Sequence, residues 1–309
     1  MKAVRYHSYG DSSVLVYEDT DRPVAGAEQV VVKVAGTAFN PLDVAIRAGF
    51  VQQEFPVAFP HIPNFDVAGV ITEVGEGVRG WSAGDAVVAF LPPAAPGAAA
   101  EYVAVPAEVL ASAPRTVELA DAAALPSAGL AAWQSLFEHA GLKAGQSILI
   151  NGAGGAVGRY AVQLAKQAGA NVTATASVRS SDLVASYGAD RVVDYTATSL
   201  TQAVAGQRFD VVLNLVRTSP DEDARLADLT VDGGAFVSTT FPDLTAGRGV
   251  RVVPVFTRSD AAQLAELVAR VDAGDLKVDV AERRPLTDMA AIHDDAVAGR
   301  LPGKIVLIP

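Results

Sequence analysis

Cysteine is absent from all 309 residues. That one absence excludes disulfides, a thiol nucleophile and every thiolate-bound metal. Histidine is nearly as scarce: His7, His61, His139 and His293 stand far apart, none in a metal-ligand spacing, so no metal is expected and each reads as a surface or hydrogen-bonded residue. Long apolar runs are missing too. None reaches the roughly 18 residues that span a bilayer, and the N-terminus MKAVRYHSYG has no signal-peptide core, so a cytoplasmic protein with no membrane partner is expected. Positive charge is also in deficit. With 24 Lys and Arg against 35 Asp and Glu, the net charge of −11 repels phosphate backbones and argues against nucleic acid as a partner.

Half the residues are apolar and 19% are charged, so the chain can build a packed core and disorder is excluded. Its most informative segment is an apolar strand, SILI from Ser147, feeding the turn NGAGGAVG at 151–158, which opens directly into a helix. A strand that aims its carboxyl end at a helix N-terminus leaves backbone N–H groups and the positive helix-dipole end facing one spot, a ready pyrophosphate site. Ala153, Gly155 and Gly158 occupy the three fingerprint positions, alanine replacing the first glycine. Gly155 would let backbone approach phosphate, and Gly158 would let the helix pack on its strand. The residues expected to face the dinucleotide are Gly154, Gly155, Ala156, Val157 and Gly158.

Regular alternation follows: strands at 171–176, 191–195, 209–216 and 234–240, a short helix from Ser181 to Tyr187, and another opened by Ser219-Pro220 with acids in its first turn. That order predicts a doubly wound parallel sheet. Before residue 110 the pattern is strands and glycine turns, Val30–Val34, Asp66–Val74 and Asp85–Phe90, which suits an irregular β-barrel. The tail adds a helix over 260–272 and strands near 278–280 and 305–308, expected to complete the first domain. The alanine-rich stretch Pro92 to Ala100 reads as a loop.

The segments FNPLDVAIRAG (39–49), PHIPNFDVAGVITEVGEGV (60–78), GDAVVAF (84–90), ALPSAGLAAWQSL (124–136), the glycine turn, GADRVVDY (188–195) and GKIVLI (303–308) together resemble the medium-chain dehydrogenase/reductase superfamily, and within it the zinc-free quinone oxidoreductase (zeta-crystallin-like) branch. The resemblance implies an α/β fold with a GroES-like β-barrel catalytic domain, residues 1–120 and 253–309, around a Rossmann domain, residues 121–252, with the active site in the cleft between them. Zinc members carry a cysteine where this chain has Phe39-Asn40, a histidine-glutamate pair near Asn64 to Asp66, and a four-cysteine lobe; all are missing here.

At the end of the second strand, where an NAD enzyme places an acid on the ribose, this chain has Ser177-Val178-Arg179-Ser180-Ser181. Arg179 can pair with a 2′-phosphate and Ser177 and Ser180 can donate to it, so NADPH is the expected cofactor. The family resemblance adds Tyr195 and, as a weaker match, Arg300 at that phosphate. It sets Asn40 beside the nicotinamide as the catalytic residue, and Val216, Thr239 and Phe256 along the nicotinamide side. A homodimer is the expected assembly. Ala45, where relatives often carry tyrosine, Ala131, and Arg217-Thr218 after Val216 depart from the family pattern and bear on the substrate.

The expected reaction is zinc-independent hydride transfer from NADPH to a quinone or other conjugated carbonyl. Two alternatives stay open: an enoyl reductase acting on activated C=C bonds, and a non-catalytic NADPH-binding redox sensor. Asp43 and Asp66 read as bonding nearby backbone or a cation, Asp221 to Asp223 as a helix start, and His293-Asp294-Asp295 as a solvated helix face.

Overall fold

A computed structural model describes residues 1–309. The chain divides into two compact units, Met1–Ser127 with Ser259–Pro309, and Ala128–Arg258.

The first unit is built mainly on antiparallel strands. β1 (Lys2–Arg5) and β2 (Val16–Asp19) form a separate ribbon. β3 (Gln29–Ala38), the helix α1 (Pro41–Ala48), β4 (Asp66–Val74), β5 (Ala86–Phe90), β6 (Tyr102–Pro106) and β7 (Leu110–Ser112) follow. β3 is the hub, pairing with β4, with β6 and with the returning C-terminal strand. Its Val30, Val31, Val32 and Val34 are buried, as expected for β-branched residues in a strand flanked on both edges. The alanine-rich stretch is a loop, but a packed one: Ala98, Ala99 and Ala100 are fully buried and Ala100 bridges Ala3.

The second unit begins within helix α2 (Pro126–Trp133) and continues as β8 (Ser147–Asn151), α3 (Ala156–Gln167), β9 (Asn171–Ala176), α4 (Val178–Ser186), β10 (Arg191–Asp194), α5 (Leu200–Ala203), β11 (Phe209–Asn214), α6 (Pro220–Asp228), β12 (Thr230–Ser238) and β13 (Arg251–Pro254). Its six strands are all parallel, in the order β10-β9-β8-β11-β12-β13. The chain runs outward from β8 through β9 to β10, then returns to the other side of β8 as β11. The direction of winding therefore switches between β8 and β11, where such sheets hold ligands at their carboxyl edge. The boundary expected at 252 would cut β13, whose pairing with β12 carries the unit on to Arg258.

The tail supplies α7 (Ala261–Asp272), β14 (Glu282–Pro285), α8 (Met289–Val297) and β15 (Ile305–Ile308) to the first unit. Leu264, Leu267, Val268 and Val271 form the buried stripe of α7. No strand forms over 278–280: pairing with β15 starts only where the Ala281 N–H reaches the Lys304 carbonyl, and β14 runs from Glu282. No helix is long and apolar enough to cross a membrane.

Candidate functional site

In the second unit, β8 ends at Asn151 and the chain turns through Gly152 to Gly155 into α3. Gly152 has φ +94, and a Cβ there would lie 2.6 Å from Val216 Cγ2. Gly155 is the extended N-cap of α3, is exposed, and has around its missing Cβ only the Gly152 carbonyl at 3.5 Å. Gly158 differs: a Cβ would sit 2.4 Å from the Gly152 oxygen and 2.5 Å from Ala153 Cα. So Gly158 lets the helix press on the turn, whereas Gly155 leaves open space beside backbone. The first-turn amides of Ala156 and Val157 have no helical carbonyl behind them to bond. Arg159 holds the turn, its Nε donating to the Gly154 carbonyl at 2.9 Å.

Each parallel strand delivers its own candidate to the same edge. Ser177 follows β9, Tyr195 follows β10, Val216 lies beyond β11, Thr239 follows β12 and Phe256 lies beyond β13. The strand order sets them in the sequence Tyr195, Ser177 with Arg179, the glycine turn, Val216, Thr239, Phe256 across the sheet. The helix after β9 starts earlier than the expected Ser181, because Ser177 is itself the extended N-cap. That puts Arg179 in the first helical turn, exposed and without an ion-pair partner. The Ser180 hydroxyl group packs on Gly154. Arg300 lies in the other unit, its guanidinium bonded to Asp295 at 2.8 and 3.0 Å.

Sequence reasoning missed a polar chain along this edge. Thr175 Oγ1 donates to Asn151 Oδ1 and accepts from the Gly152 N–H, both at 2.9 Å. Asn151 Nδ2 donates to Asn214 Oδ1 at 2.9 Å, and Asn214 Nδ2 donates to Asp223 at 3.2 Å. Asp223 is therefore a buried acceptor rather than only a dipole-compensating acid at a helix start. The signal available was a polar residue at the end of each of three strands.

The first unit carries Asn40, the half-buried N-cap of α1. Asp43 reaches back to accept the Asn40 N–H at 2.8 Å and also accepts the Asn64 N–H at 3.0 Å, so it does bond nearby backbone. Full burial pushes its carboxyl up to about 7 against those two hydrogen bonds. The Asn40 side chain turns to other partners. Its Nδ2 donates to Asp66 Oδ2 at 2.9 Å and to the Ala38 carbonyl at 3.3 Å, while Oδ1 accepts from Lys304 Nζ at 2.7 Å. Asp66, fully buried, accepts also from the Ser127 N–H at 2.7 Å and hydroxyl at 2.6 Å, with Lys304 Nζ 3.4 Å away. The sequence did not point to Lys304 or Ser127.

His293 is a correction: it is fully buried against Phe39, ring centroids 5.1 Å apart, with no partner for either ring nitrogen. Only its neighbours in the His-Asp-Asp run meet polar groups, Asp294 taking Ser12 and Asp295 taking Arg284 and Arg300. Burial lowers His293 to about 3 and His61 to about 4.

Residues 26–115 match the family described as "Alcohol dehydrogenase GroES-like domain", and residues 187–307 that described as "Zinc-binding dehydrogenase". The chain is 34% identical to a chloroplast envelope quinone oxidoreductase homolog of Arabidopsis thaliana, over 100% of this chain and 98% of that protein. It is 33% identical to an NADPH-dependent alkenal/one oxidoreductase of the same plant, over 100% of this chain and 80% of that protein. The solved structure of the quinone oxidoreductase from Coxiella burnetii superposes with a TM-score of 0.90 at 29% identity, covering 100% of this chain and 99% of that one. The zinc in the second family description does not fit the residues present, since the chain has no cysteine and no group of three acidic or histidine side chains able to hold an ion. With its GroES-like first unit, its Rossmann-like parallel sheet and that identity over its full length, the chain belongs to the medium-chain dehydrogenase/reductase superfamily, in the quinone oxidoreductase-like branch, and is an oxidoreductase.

Proposed function

We propose that this oxidoreductase uses NADPH to reduce small quinones or conjugated enones and needs no metal to do so. The observation that carries the cofactor assignment is Arg179: an exposed, unpaired guanidinium in the first turn of α4, beside Ser177 and Ser180, at the strand end next to the glycine turn. A 2′-phosphate is the anion such a group would take, through charge-assisted hydrogen bonds. The turn fits a pyrophosphate, because Gly155 leaves its backbone uncovered and the amides of Ala156 and Val157 are unspent. Tyr195, 56% exposed one strand further out, would flank the adenosine end, and Val216, Thr239 and Phe256 the nicotinamide end. When bound, the cofactor supplies a hydride from its nicotinamide ring.

The acceptor class follows from what the chain has to offer the reaction. Oxidising a simple alcohol requires removal of a poorly acidic proton, which superfamily zinc enzymes achieve with a Lewis acid. Here no ligand set for one exists. Hydride addition to a quinone or enone gives a stabilised oxyanion that water can protonate, and the relatives named for quinone and alkenal/one reduction agree with that choice. A cytoplasmic homodimer completes the reading. The test is an acceptor panel: NADPH oxidation with small quinones and enones, set against NADP⁺ reduction with aliphatic alcohols. We expect turnover in the first set and none in the second; efficient alcohol oxidation would overturn the proposal.

A further inference from the structure

The GKIVLI segment contributes a buried cation that the functional reading has not used. Lys304 and Asp66 have side chains 4% and 0% exposed. Burying an ion pair costs desolvation that its attraction barely repays, so such pairs are weak devices for stability and serve better to fix one arrangement of what they touch. What this pair touches is the Asn40 amide. An ammonium can only donate and a carboxylate only accept. Lys304 therefore requires Oδ1 on its side and Asp66 requires Nδ2 on the other; a flipped amide would set NH₂ against the ammonium and oxygen against the carboxylate. Asn40 thus has a single orientation.

In that orientation its hydrogen bonds are unequal. Oδ1 is held by Lys304 at 2.7 Å and one Nδ2–H by Asp66 at 2.9 Å, while the other N–H meets only the Ala38 carbonyl at 3.3 Å. A cation on the amide oxygen polarises the group and strengthens its N–H as a donor. The N–H it strengthens is the one held least tightly.

We propose that Lys304, with Asp66 behind it, is a positioning residue that holds Asn40 polarised and in register, so that this second Nδ2–H is donated to the acceptor oxygen. The inference rests on the reading of the protein as a quinone or enone reductase. In the step concerned, hydride adds to the acceptor, the π electrons move onto oxygen, the nicotinamide is oxidised, and the oxyanion is stabilised by Asn40 until it takes a proton from water. Asn40 touches the reacting oxygen; Lys304 acts through Asn40.

Lys304→Met alone strands a buried carboxylate and destabilises the fold, so the informative variant is Asp66→Asn/Lys304→Met, which removes both charges together. We expect it to regain the thermal midpoint lost in Lys304→Met, to bind NADPH as the wild type does, and to keep kcat depressed about tenfold or more with little change in acceptor KM. Adding Asn40→Ala to that pair should lower kcat little further, because the donor is already compromised, and Lys304→Arg should recover part of the turnover. A charge-free double variant with wild-type kcat would overturn the proposal and leave the pair a strut. A second readout does not require turnover: 4-nitrophenolate, a stable oxyanion, should bind the wild type about tenfold more tightly than the double variant, as one polarised donor implies. Equal binding by both also overturns the proposal. A wild type that binds the phenolate in this way but oxidises NADPH with no acceptor refutes the reductase reading instead.

Discussion

Arg179 and His293 show how two single side chains set properties the rest of the fold does not determine. Arg179 has no partner in the chain, so its removal should leave stability nearly unchanged and be felt only by a ligand. Arg179→Ala should weaken NADPH binding by roughly 1.5–3 kcal/mol, the worth of a charged hydrogen bond, with NADH scarcely affected. Equal losses in parallel titrations of the two cofactors would remove the basis for the NADPH assignment. His293 acts on stability alone. Its folded-state pKa, lowered to about 3 by burial, lies below that of the free side chain, so as pH falls from about 6.5 the unfolded chain takes up a proton that the folded one refuses. Stability is therefore full above about pH 6.5 and drains away as pH falls, at about 1.4 kcal/mol per pH unit for this group. His61 adds a loss of the same sign. Denaturation midpoints compared at pH 7 and pH 4.5 should show a markedly smaller acid loss for His293→Leu than for the wild type; parallel behaviour would mean the ring is not the proton sink. Neither His293 nor Lys304 could be placed from sequence. His293 sits in an acidic run that looks solvated, and Lys304 meets Asn40 across 264 positions of chain, a proximity only the closed sheet creates.

At the scale of elements, the turn between β8 and α3 separates two uses of glycine that look alike in sequence. Gly155→Val adds methyl groups to open space at an extended φ of −80, so the protein should fold and lose NADPH. Gly158→Ala drives a Cβ into the backbone of the same turn and should cost about 3 kcal/mol of stability through overpacking. Circular dichroism melts with NADPH titrations separate the two; a folded Gly155→Val variant with full NADPH affinity would put the cofactor elsewhere. The segments most legible in sequence were those whose pattern is local. β4, β9 and β15 run over the residues that hydrophobic patterning marks out, and Asp260 caps α7 where expected, accepting the Gln263 N–H at 3.0 Å. β1, β2, β6, β7 and β13 escaped notice, and β14 was expected earlier, near 278–280. These strands have three to five residues each, and pairing with partner strands rather than their own composition makes them strands.

For the whole molecule, the sequence's missing residues bear as much on the function as its motifs. The chain has no cysteine and no group of three acidic or histidine side chains placed to hold an ion, so on the proposed reading NADPH oxidation with an acceptor should survive exhaustive chelation at its full rate. Stoichiometric zinc lost together with activity would refute that. The order of the parallel strands brings six separately spaced candidates to one edge; the glycine turn and Arg179 were marked by local sequence pattern, while Tyr195, Val216, Thr239 and Phe256 came only through the family resemblance. The buried network around Asn40 was less legible, because it is assembled from the start of α1, β4, α2 and the approach to β15. The central claim is that hydride passes directly from NADPH to a conjugated acceptor, and isotope transfer tests it most directly. With NADPH carrying deuterium at nicotinamide C4 and a small enone in ordinary water, the account predicts one deuterium at the β-carbon of the saturated product when the label is on the transferred face, and none when it is on the other. Product without label from either stereoisomer, or NADPH that binds and is never oxidised by quinone or enone, would contradict it.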